Sequence, residues 1–200
     1  MKFKHKRNRT RLEAEVHPII FQPVLDTEKN GLCHIYYGPR NYTDVQKYRQ
    51  EVSLVFRNET LPHSTLINRA YEVFRRVFYG RRVDIETFFI HVEFGHTVGL
   101  SFPGIYSGQY NWRNTVHLDT QKPAPVYPVK EFTKNLYVKK RGKVTRPHVY
   151  VNTWNHALAN FDNNPEFEKQ EFYVGFNVKG GYLSRVELNK KYRLRTVLGL

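Results

Sequence analysis

Two histidines in matching surroundings could together carry out acid–base chemistry. His63 lies in the segment PHSTL and His148 in PHVYV, so each follows a proline and precedes an apolar stretch. An imidazole can accept or donate a proton near neutral pH. Two imidazoles on opposite sides of one cleft could therefore act as base and acid on a phosphodiester or a 2′-hydroxyl, without a metal ion.

These two segments resemble the paired H-x-[ST] motifs of the 2H phosphoesterases. The first copy fits, with Thr65 at the hydroxyl position, whereas the second copy has Tyr150 there. The resemblance covers about ten residues and implies a metal-independent RNA- or phosphodiester-processing enzyme, with His63 and His148 as its catalytic pair. We keep this enzyme as the alternative hypothesis. Because Tyr150 cannot easily replace a short hydroxyl beside a phosphate, we expect both histidines to be structural.

A second polar cluster contains His91, Glu93 and His96. On a strand, His91 and Glu93 point to the same side, and His96 could return after a turn. With His117 these side chains could bind a metal ion, but their spacing matches no standard ligand pattern and Cys33 is the only cysteine. We therefore predict no metal site, no cofactor and no disulfide within the chain.

The sequence lacks the motifs of several large enzyme classes. It contains no G-x-x-x-x-G-K-[ST], no G-x-G-x-x-G, no G-x-S-x-G and no H-E-x-x-H. These motifs position phosphates, dinucleotides, a serine nucleophile and a zinc ion, respectively. Nucleotide hydrolysis, Rossmann redox chemistry and serine hydrolysis are thus disfavoured in their usual forms, and a nonenzymatic function is preferred.

The positive charge is concentrated in three segments of the chain. The net charge is +14; residues 1–11 carry +6, residues 130–146 carry +6, residues 185–195 carry +4, and all other residues together carry −2. Concentrated basic runs are typical of polyanion binding. The predicted nucleic-acid-binding residues are Lys2, Lys4, Lys6, Arg7, Arg9, Arg11, Lys139, Lys140, Arg141, Lys143, Arg146, Lys190, Lys191, Arg193 and Arg195.

Aromatic residues accompany these runs and could stack on bases. They are Phe132, Tyr137, Tyr150 and Trp154, and separately Tyr106, Tyr110 and Trp112. Nucleic acid, DNA or RNA, is therefore the predicted partner, and a homo-oligomer or larger assembly is a further expectation. A basic adaptor for acidic proteins, a ribosome-like assembly and an anionic membrane surface are the alternatives.

The sequence favours an intracellular protein, cytoplasmic or nuclear, or a virion component if it is viral. No stretch approaches the roughly 20 apolar residues that a membrane helix needs, so we predict no membrane span. The single cysteine and the absence of an apolar signal segment agree with that location.

Alternating apolar residues predict a β-rich α+β fold. We expect a basic flexible arm at residues 1–12 and one domain at 13–200, built from antiparallel sheets in a jelly-roll or similar sandwich. A hairpin is expected over residues 172–186, with its turn at Gly180-Gly181. The predicted strands are residues 16–24, 33–37, 51–56, 83–94, 97–102, 114–118, 126–132, 136–139, 148–154, 171–178, 183–188 and 192–197.

One amphipathic helix is predicted over residues 65–79, and a shorter helix could occupy residues 43–50. Gly80 can end the longer helix. Its apolar residues form a single stripe, so we expect that stripe to pack into the core. The stripe consists of Leu66, Ala70, Val73, Phe74 and Val77.

An arm joined to a sandwich resembles the architecture with which small viral capsid subunits hold their genome. The leading hypothesis is accordingly a nonenzymatic, nucleic-acid-binding structural protein, either a capsid-like subunit or a ribonucleoprotein subunit.

Overall fold

The computed structural model describes residues 17–60, 65–78, 80–102 and 142–193, and the short strands at 109–110, 116–117, 127–128 and 132–138; between residues 103 and 145 it describes no side chains. The elements are β1 (Ile19–Pro23), α1 (Val24–Asn30), β2 (Leu32–Asp44), β3 (Lys47–Phe56), α2 (Thr65–Phe78), β4 (Asp84–Glu93), β5 (His96–Ser101), β6 (Gln109–Tyr110), β7 (Val116–His117), β8 (Tyr127–Pro128), β9 (Phe132–Val138), β10 (Gly142–Val151), β11 (Leu158–Ala159), β12 (Lys169–Phe172), β13 (Lys179–Tyr182) and α3 (Arg185–Lys191).

The strands form two large mixed sheets and one small sheet. The five-stranded sheet has the order β11-β10-β1-β12, with β9 paired to β10, and the six-stranded sheet has the order β13-β2-β3-β4-β5-β8. β6 and β7 pair separately. The predicted β-rich α+β class is confirmed. The prediction of antiparallel sheets is wrong at two pairs, β1 with β10 and β13 with β2, which are parallel. These partners are far apart along the chain, so no hairpin fixes their direction.

One apolar core contains side chains from both large sheets. Ile20 and Val149 come from the five-stranded sheet, and Leu54, Phe88 and Ile90 come from the six-stranded sheet; all five are fully buried. Along β4 the inward positions alternate, because successive side chains of a strand point to opposite faces. The sheets therefore bury their apolar faces against a common set of residues.

Three sequence predictions about local structure are wrong. Residues 43–50 form the end of β2, a two-residue turn at 45–46 and the start of β3, not a helix. Residues 185–188 form the first turn of α3, not a strand, because Ser184, as the N-cap, and Glu187 form a capping box. The hairpin over 172–186 does not form: β12 and β13 join different sheets.

Gly181 lies within β13 rather than in a turn. A Cβ atom at Gly181 would lie 2.6 Å from the ring of Tyr36 on the paired strand. The missing side chain thus permits the close pairing of β13 with β2.

The predicted long helix exists, but its expected orientation is wrong. α2 covers residues 65–78, and its apolar stripe points outward, with Leu66 80%, Val73 60% and Val77 71% exposed. The opposite side of the helix contacts the protein with polar residues, chiefly Tyr71 and Arg75, and Arg75 is only 3% exposed. The stripe of apolar residues is therefore not part of the core.

Arg75 attaches α2 to buried acids. Its Nη1 lies 3.5 Å from Glu59 Oε2 and donates to Asn58 Oδ1 at 3.3 Å, and its Nη2 lies 3.9 Å from Asp84 Oδ1. Tyr71 also donates its hydroxyl proton to Glu59, at 3.2 Å. Because a buried charge is costly without a partner, these contacts determine which side of α2 faces inward.

His156 provides the second buried cation. The residue has a positive φ of 59°, and its ring stacks on Phe56 with 3.8 Å between centroids. Its Nδ1 lies 2.8 Å from Asp84 Oδ2 and its Nε2 lies 3.3 Å from Asp26 Oδ2. We call Asp26, Glu59, Arg75, Asp84 and His156 the buried charge network.

Hydrogen bonds extend the network to the first strand and helix. Asp26 accepts from Gln22 Nε2 at 2.6 Å and from Asn30 Nδ2 at 2.7 Å. Asn30 Oδ1 in turn accepts from the hydroxyl of Thr60 at 3.0 Å. The network therefore ties β1, α1, α2, β4 and the loop around His156 to one another.

The pKa values follow from the number of charges in the network. Burial opposes protonation of His156, but its contacts with Asp26 and Asp84 outweigh burial and raise its pKa to about 10. Burial alone would raise the pKa of Asp84, but His156 and Arg75 lower it. Burial and the charge of Asp84 raise the pKa of Glu59 to about 7. The pair of Asp84 and His156 is thus held in its charged form, whereas burial and the charge of Asp84 favour the protonated form of Glu59.

The first prediction compares two adjacent arginines of α2. Arg75→Leu should lower the free energy of unfolding by about 3–5 kcal/mol, because it leaves buried carboxylates without their partner. Arg76→Leu makes the same chemical change at an exposed ion pair with Glu72 and should change it by less than about 0.5 kcal/mol. Urea denaturation of both variants measures the difference. Equal effects would show that the network does not hold α2.

The second prediction concerns the pH dependence of stability. The His156 pKa of about 10 exceeds the ordinary 6.5, so the folded protein holds a proton that the unfolded chain releases. Stability from this proton is complete below about pH 6.5 and is lost as the pH rises through 10. We expect the stability difference between wild type and His156→Gln to shrink from about pH 7 to pH 9.5 in urea denaturation.

The range above pH 7 avoids the titration of Glu59, whose raised pKa of about 7 lowers stability as the pH rises from about 4.5 to 7. The exposed His96, replaced as His96→Gln, is the matched control and should leave the profile unchanged. A difference between wild type and His156→Gln that stays constant with pH would contradict a charged His156.

Candidate nucleic-acid interface

A basic cleft lies between the end of α2 and one side of α3. Its volume is about 500 Å³. Four of its lining residues are cations, and none of the described residues that line it is acidic. The lining consists of Phe78, Arg81, Arg185, Val186, Asn189, Lys190 and Arg193, and we call this feature the basic cleft.

α3 is positioned by its first turn and by one buried side chain. Ser184 caps the helix: its Oγ accepts from the Glu187 amide, and the Glu187 carboxylate accepts from the Ser184 amide at 2.7 Å. Leu188 is fully buried and packs with Val55 and Ile85 of the six-stranded sheet. With Leu188 turned inward, the neighbouring positions of the helix line the cleft.

Arg185 and Arg81 are held in place near each other. The guanidinium of Arg185 donates to the carbonyl of Ile85 and to Thr87 Oγ1, and its amide donates to Glu51 Oε1 at 2.6 Å. Arg81 Nη1 donates to Asn189 Oδ1 at 3.0 Å. Burial and the nearby charge of Arg185 lower the pKa of Arg81, and the carboxyl groups of Asp84 and Glu86 oppose that shift. A phosphate between Arg81 and Arg185 would reduce the repulsion between the two cations.

Arg193, which follows α3, lies close to Gly80 in the turn after α2. Gly80 has a positive φ of 61°, a conformation that glycine adopts without strain. A Cβ atom at this position would lie 3.4 Å from Cγ of Arg193. The turn after α2 therefore places Arg193 on the same cleft as Arg81.

This arrangement suits phosphate groups. Guanidinium groups can donate two parallel hydrogen bonds to one phosphate, and lysine contributes a mobile positive charge. Phe78 and Val186 are 69% and 63% exposed and add apolar surface beside the cations. Such surface can contact a base or sugar while the cations neutralise the backbone.

Three of the predicted binding residues in the last basic run are described. Lys190 and Arg193 line the basic cleft. Lys191 instead points to the sheet, where its Nζ donates to the hydroxyl of Tyr36 at 2.7 Å and lies 4.8 Å from the ring centre. The structure therefore brings two of the three predicted residues together.

Arg146 lies apart from the basic cleft, on β10. Its guanidinium is 4.8 Å from the ring centre of Tyr173, and its buried Nε and Nη1 atoms have no hydrogen-bond partner among the described residues. Burial lowers its pKa, and the neighbouring Tyr37 opposes that shift. Arg146 is thus partly withdrawn from solvent.

The other predicted binding residues remain predictions. The side chain of Lys143, on β10, is not described. The arm at residues 1–12 also lies outside the described residues. The remaining predicted residues outside the described ranges are Lys2, Lys4, Lys6, Arg7, Arg9, Arg11, Lys139, Lys140, Arg141 and Arg195.

The predicted histidine pair is described at one member only. His148 lies on β10, 4.8 Å from the ring centre of Phe21 and 6.3 Å from that of Tyr150. Tyr150 is itself buried and stacks on Phe21. His63 lies outside the described residues, so a shared cleft for His63 and His148 stays a prediction.

The polar cluster on β4 and β5 is engaged in other contacts. His91 Nε2 lies 2.8 Å from Ser101 Oγ, and Glu93 forms an ion pair with Lys47 at 3.2 Å. Within the described part of the chain, no three His, Cys, Asp or Glu side chains meet in a group that could hold a metal ion. None of the helices described there is long and apolar enough to cross a bilayer.

Two of the four cations that line the basic cleft, Arg81 and Arg185, were missing from the predicted set. Arg81 lies in the turn after α2, and Arg185 lies at the start of the third basic run, so both had a visible signal in the sequence. What the sequence could not show is that the turn at Gly80 and the cap at Ser184 bring them together.

Comparison of the chain with protein-family models, curated proteins and solved structures gives no match. The function must therefore be inferred from the residues of the basic cleft themselves.

Proposed function

We propose that the protein is a nonenzymatic nucleic-acid-binding protein that contacts phosphate groups through the basic cleft. One observation carries this proposal: four cations line the same cleft, and no described residue of its lining is acidic. The cations are Arg81, Arg185, Lys190 and Arg193. Low-dielectric walls around like charges focus the potential and attract a polyanion. Because phosphates carry no sequence information, binding is weakly sequence-specific.

The chemistry of the cleft supports binding rather than cleavage. Its described lining contains neither a histidine nor a carboxylate, and acid–base catalysis needs at least one such group within reach of the substrate. Hydrogen bonds hold both guanidinium groups in place: Arg185 donates to Thr87 and Arg81 donates to Asn189. Such groups stabilise a bound phosphate without transferring a proton.

We further propose a structural role, as a capsid-like or ribonucleoprotein subunit. Supporting this role are the +6 charge of residues 1–11, which suits an arm on nucleic acid, and the core shared by two sheets, which suits a sandwich-like domain. In this proposal the arm adds affinity while the basic cleft gives the nucleic acid a fixed position. DNA and RNA present the same phosphate groups to the arm and to the basic cleft.

The third prediction tests the cleft with a matched pair of double variants. Arg81→Gln/Arg193→Gln should weaken binding of labelled single-stranded RNA and of duplex DNA by about 10–100-fold at roughly 100 mM salt. It should also reduce the slope of log affinity against log salt by about 2, since two phosphate contacts are lost. Fluorescence anisotropy over a salt series measures both quantities.

The control variant is Lys29→Gln/Arg57→Gln, which removes the same charge from exposed residues outside the cleft lining. It should change the affinity and the salt slope much less than the cleft variant. An equal loss of affinity in both variants would mean that only the net charge of +14 matters. A wild-type protein that binds no nucleic acid at low salt would refute the proposed function.

A further inference from the structure

The outward face of α2 is an apolar surface on a helix whose other face is already occupied. Leu66, Val73, Val77 and Phe78 are 80%, 60%, 71% and 69% exposed. Leu66, Val73 and Val77 lie along one stripe, since residues seven and eleven apart return to nearly the same side of a helix. We call these four residues the α2 apolar face. Contiguous exposed apolar side chains on a folded protein mark a contact surface.

The buried charge network prevents this face from turning into the core. Arg75 lies on the opposite side of α2, where it contacts Glu59 and Asp84. Rotating the helix to bury Val73 or Val77 would take Arg75 away from these acids. The apolar face is therefore a fixed outward feature of the fold.

Cations border the α2 apolar face along its side and at its end. Arg69 is exposed on the flank of the helix. Arg76 and Arg82 both contact the single carboxylate of Glu72, each at 2.7 Å, which leaves an excess positive charge there. Phe78 belongs to the apolar face and also lines the basic cleft, so the two surfaces are continuous.

We propose that α2 docks the protein on an anionic lipid bilayer. In this arrangement the apolar face enters the boundary between headgroups and acyl chains, while the bordering arginines contact lipid phosphate and carboxylate groups. Helices with an apolar face and basic flanks bind membrane surfaces in this way, and anionic lipids add about 1 kcal/mol for each nearby Lys or Arg. Docking on lipid is a function beyond the nucleic-acid binding proposed above.

Charge favours a lipid surface over a second copy of the chain as the occupant. Two-fold pairing of α2 helices would place the same surface of both subunits together, and each chain carries a net charge of +14 with arginines beside the face. An anionic bilayer provides apolar contact for the α2 apolar face and negative charge for the arginines that border it.

The experiment compares two matched valine-to-serine pairs. Val73→Ser/Val77→Ser removes apolar surface from the face, and Val45→Ser/Val98→Ser makes the same change at exposed positions on the six-stranded sheet and its turn. Binding to vesicles of phosphatidylcholine with about 30% phosphatidylserine is measured by sedimentation. The first pair should weaken binding by at least about tenfold, and the second should leave it near the wild-type value.

A second readout reports where the helix lies. In a Cys33→Ser background, an environment-sensitive fluorophore on Val77→Cys should shift to the blue when these vesicles are added, whereas one on Val45→Cys should not. Pure phosphatidylcholine vesicles should give weaker binding than anionic ones, because the arginines then lose their partners.

Three outcomes would overturn the proposal: no vesicle binding by the wild type, equal vesicle binding by the two valine pairs, or a concentration-dependent dimer that Val73→Ser/Val77→Ser abolishes without any lipid effect. Nucleic-acid binding is measured on the same variants. It should be retained by Val73→Ser/Val77→Ser, so a failure of membrane docking is distinguished from a failure of the proposed nucleic-acid function.

Discussion

The carboxyl groups of Asp26, Glu59 and Asp84 are withdrawn from solvent and need polar or cationic partners, and this constraint governs the rest of the structure. Asp26 and Asp84 receive a protonated His156 between them, while Arg75 approaches from α2. Replacing such buried ions with apolar residues often costs little, but removing one partner alone is severe. The network therefore contributes less to net stability than to geometry: it selects which side of α2 faces the sheets.

That selection has two consequences at the surface. With Arg75 turned inward, the apolar stripe of α2 faces outward, and the helix ends at a turn through Gly80. The turn brings Arg81 beside α3, whose own position depends on the buried Leu188. One electrostatic arrangement thus places an apolar surface and a basic cleft next to each other. Lipid and nucleic acid, respectively, are the ligands that we propose for them.

The sequence predicted the position of α2 along the chain better than it predicted which residues contact that helix. The length of α2 followed from its apolar spacing, but periodicity identifies a face without showing whether that face meets the protein's own core. The partners of Arg75 are distant in sequence, so its burial could not be seen. The capping box of Ser184 and Glu187 was readable, yet alternation suggested a strand instead. Concentrated charge led to the prediction of polyanion binding, which stays a prediction, whereas the meeting of Arg81 with Arg185 depends on tertiary structure.

The proposed function requires that nucleic acid lies in the basic cleft. Ultraviolet crosslinking of bound single-stranded RNA, followed by mass-spectrometric mapping of the modified peptides, locates the contact directly. We predict crosslinks in residues 78–82 and 185–193, which contain the cleft residues Phe78 and Arg193, whatever further crosslinks occur in the basic runs outside the described residues. RNA that binds the folded protein but forms no crosslink in either segment would contradict binding in the basic cleft.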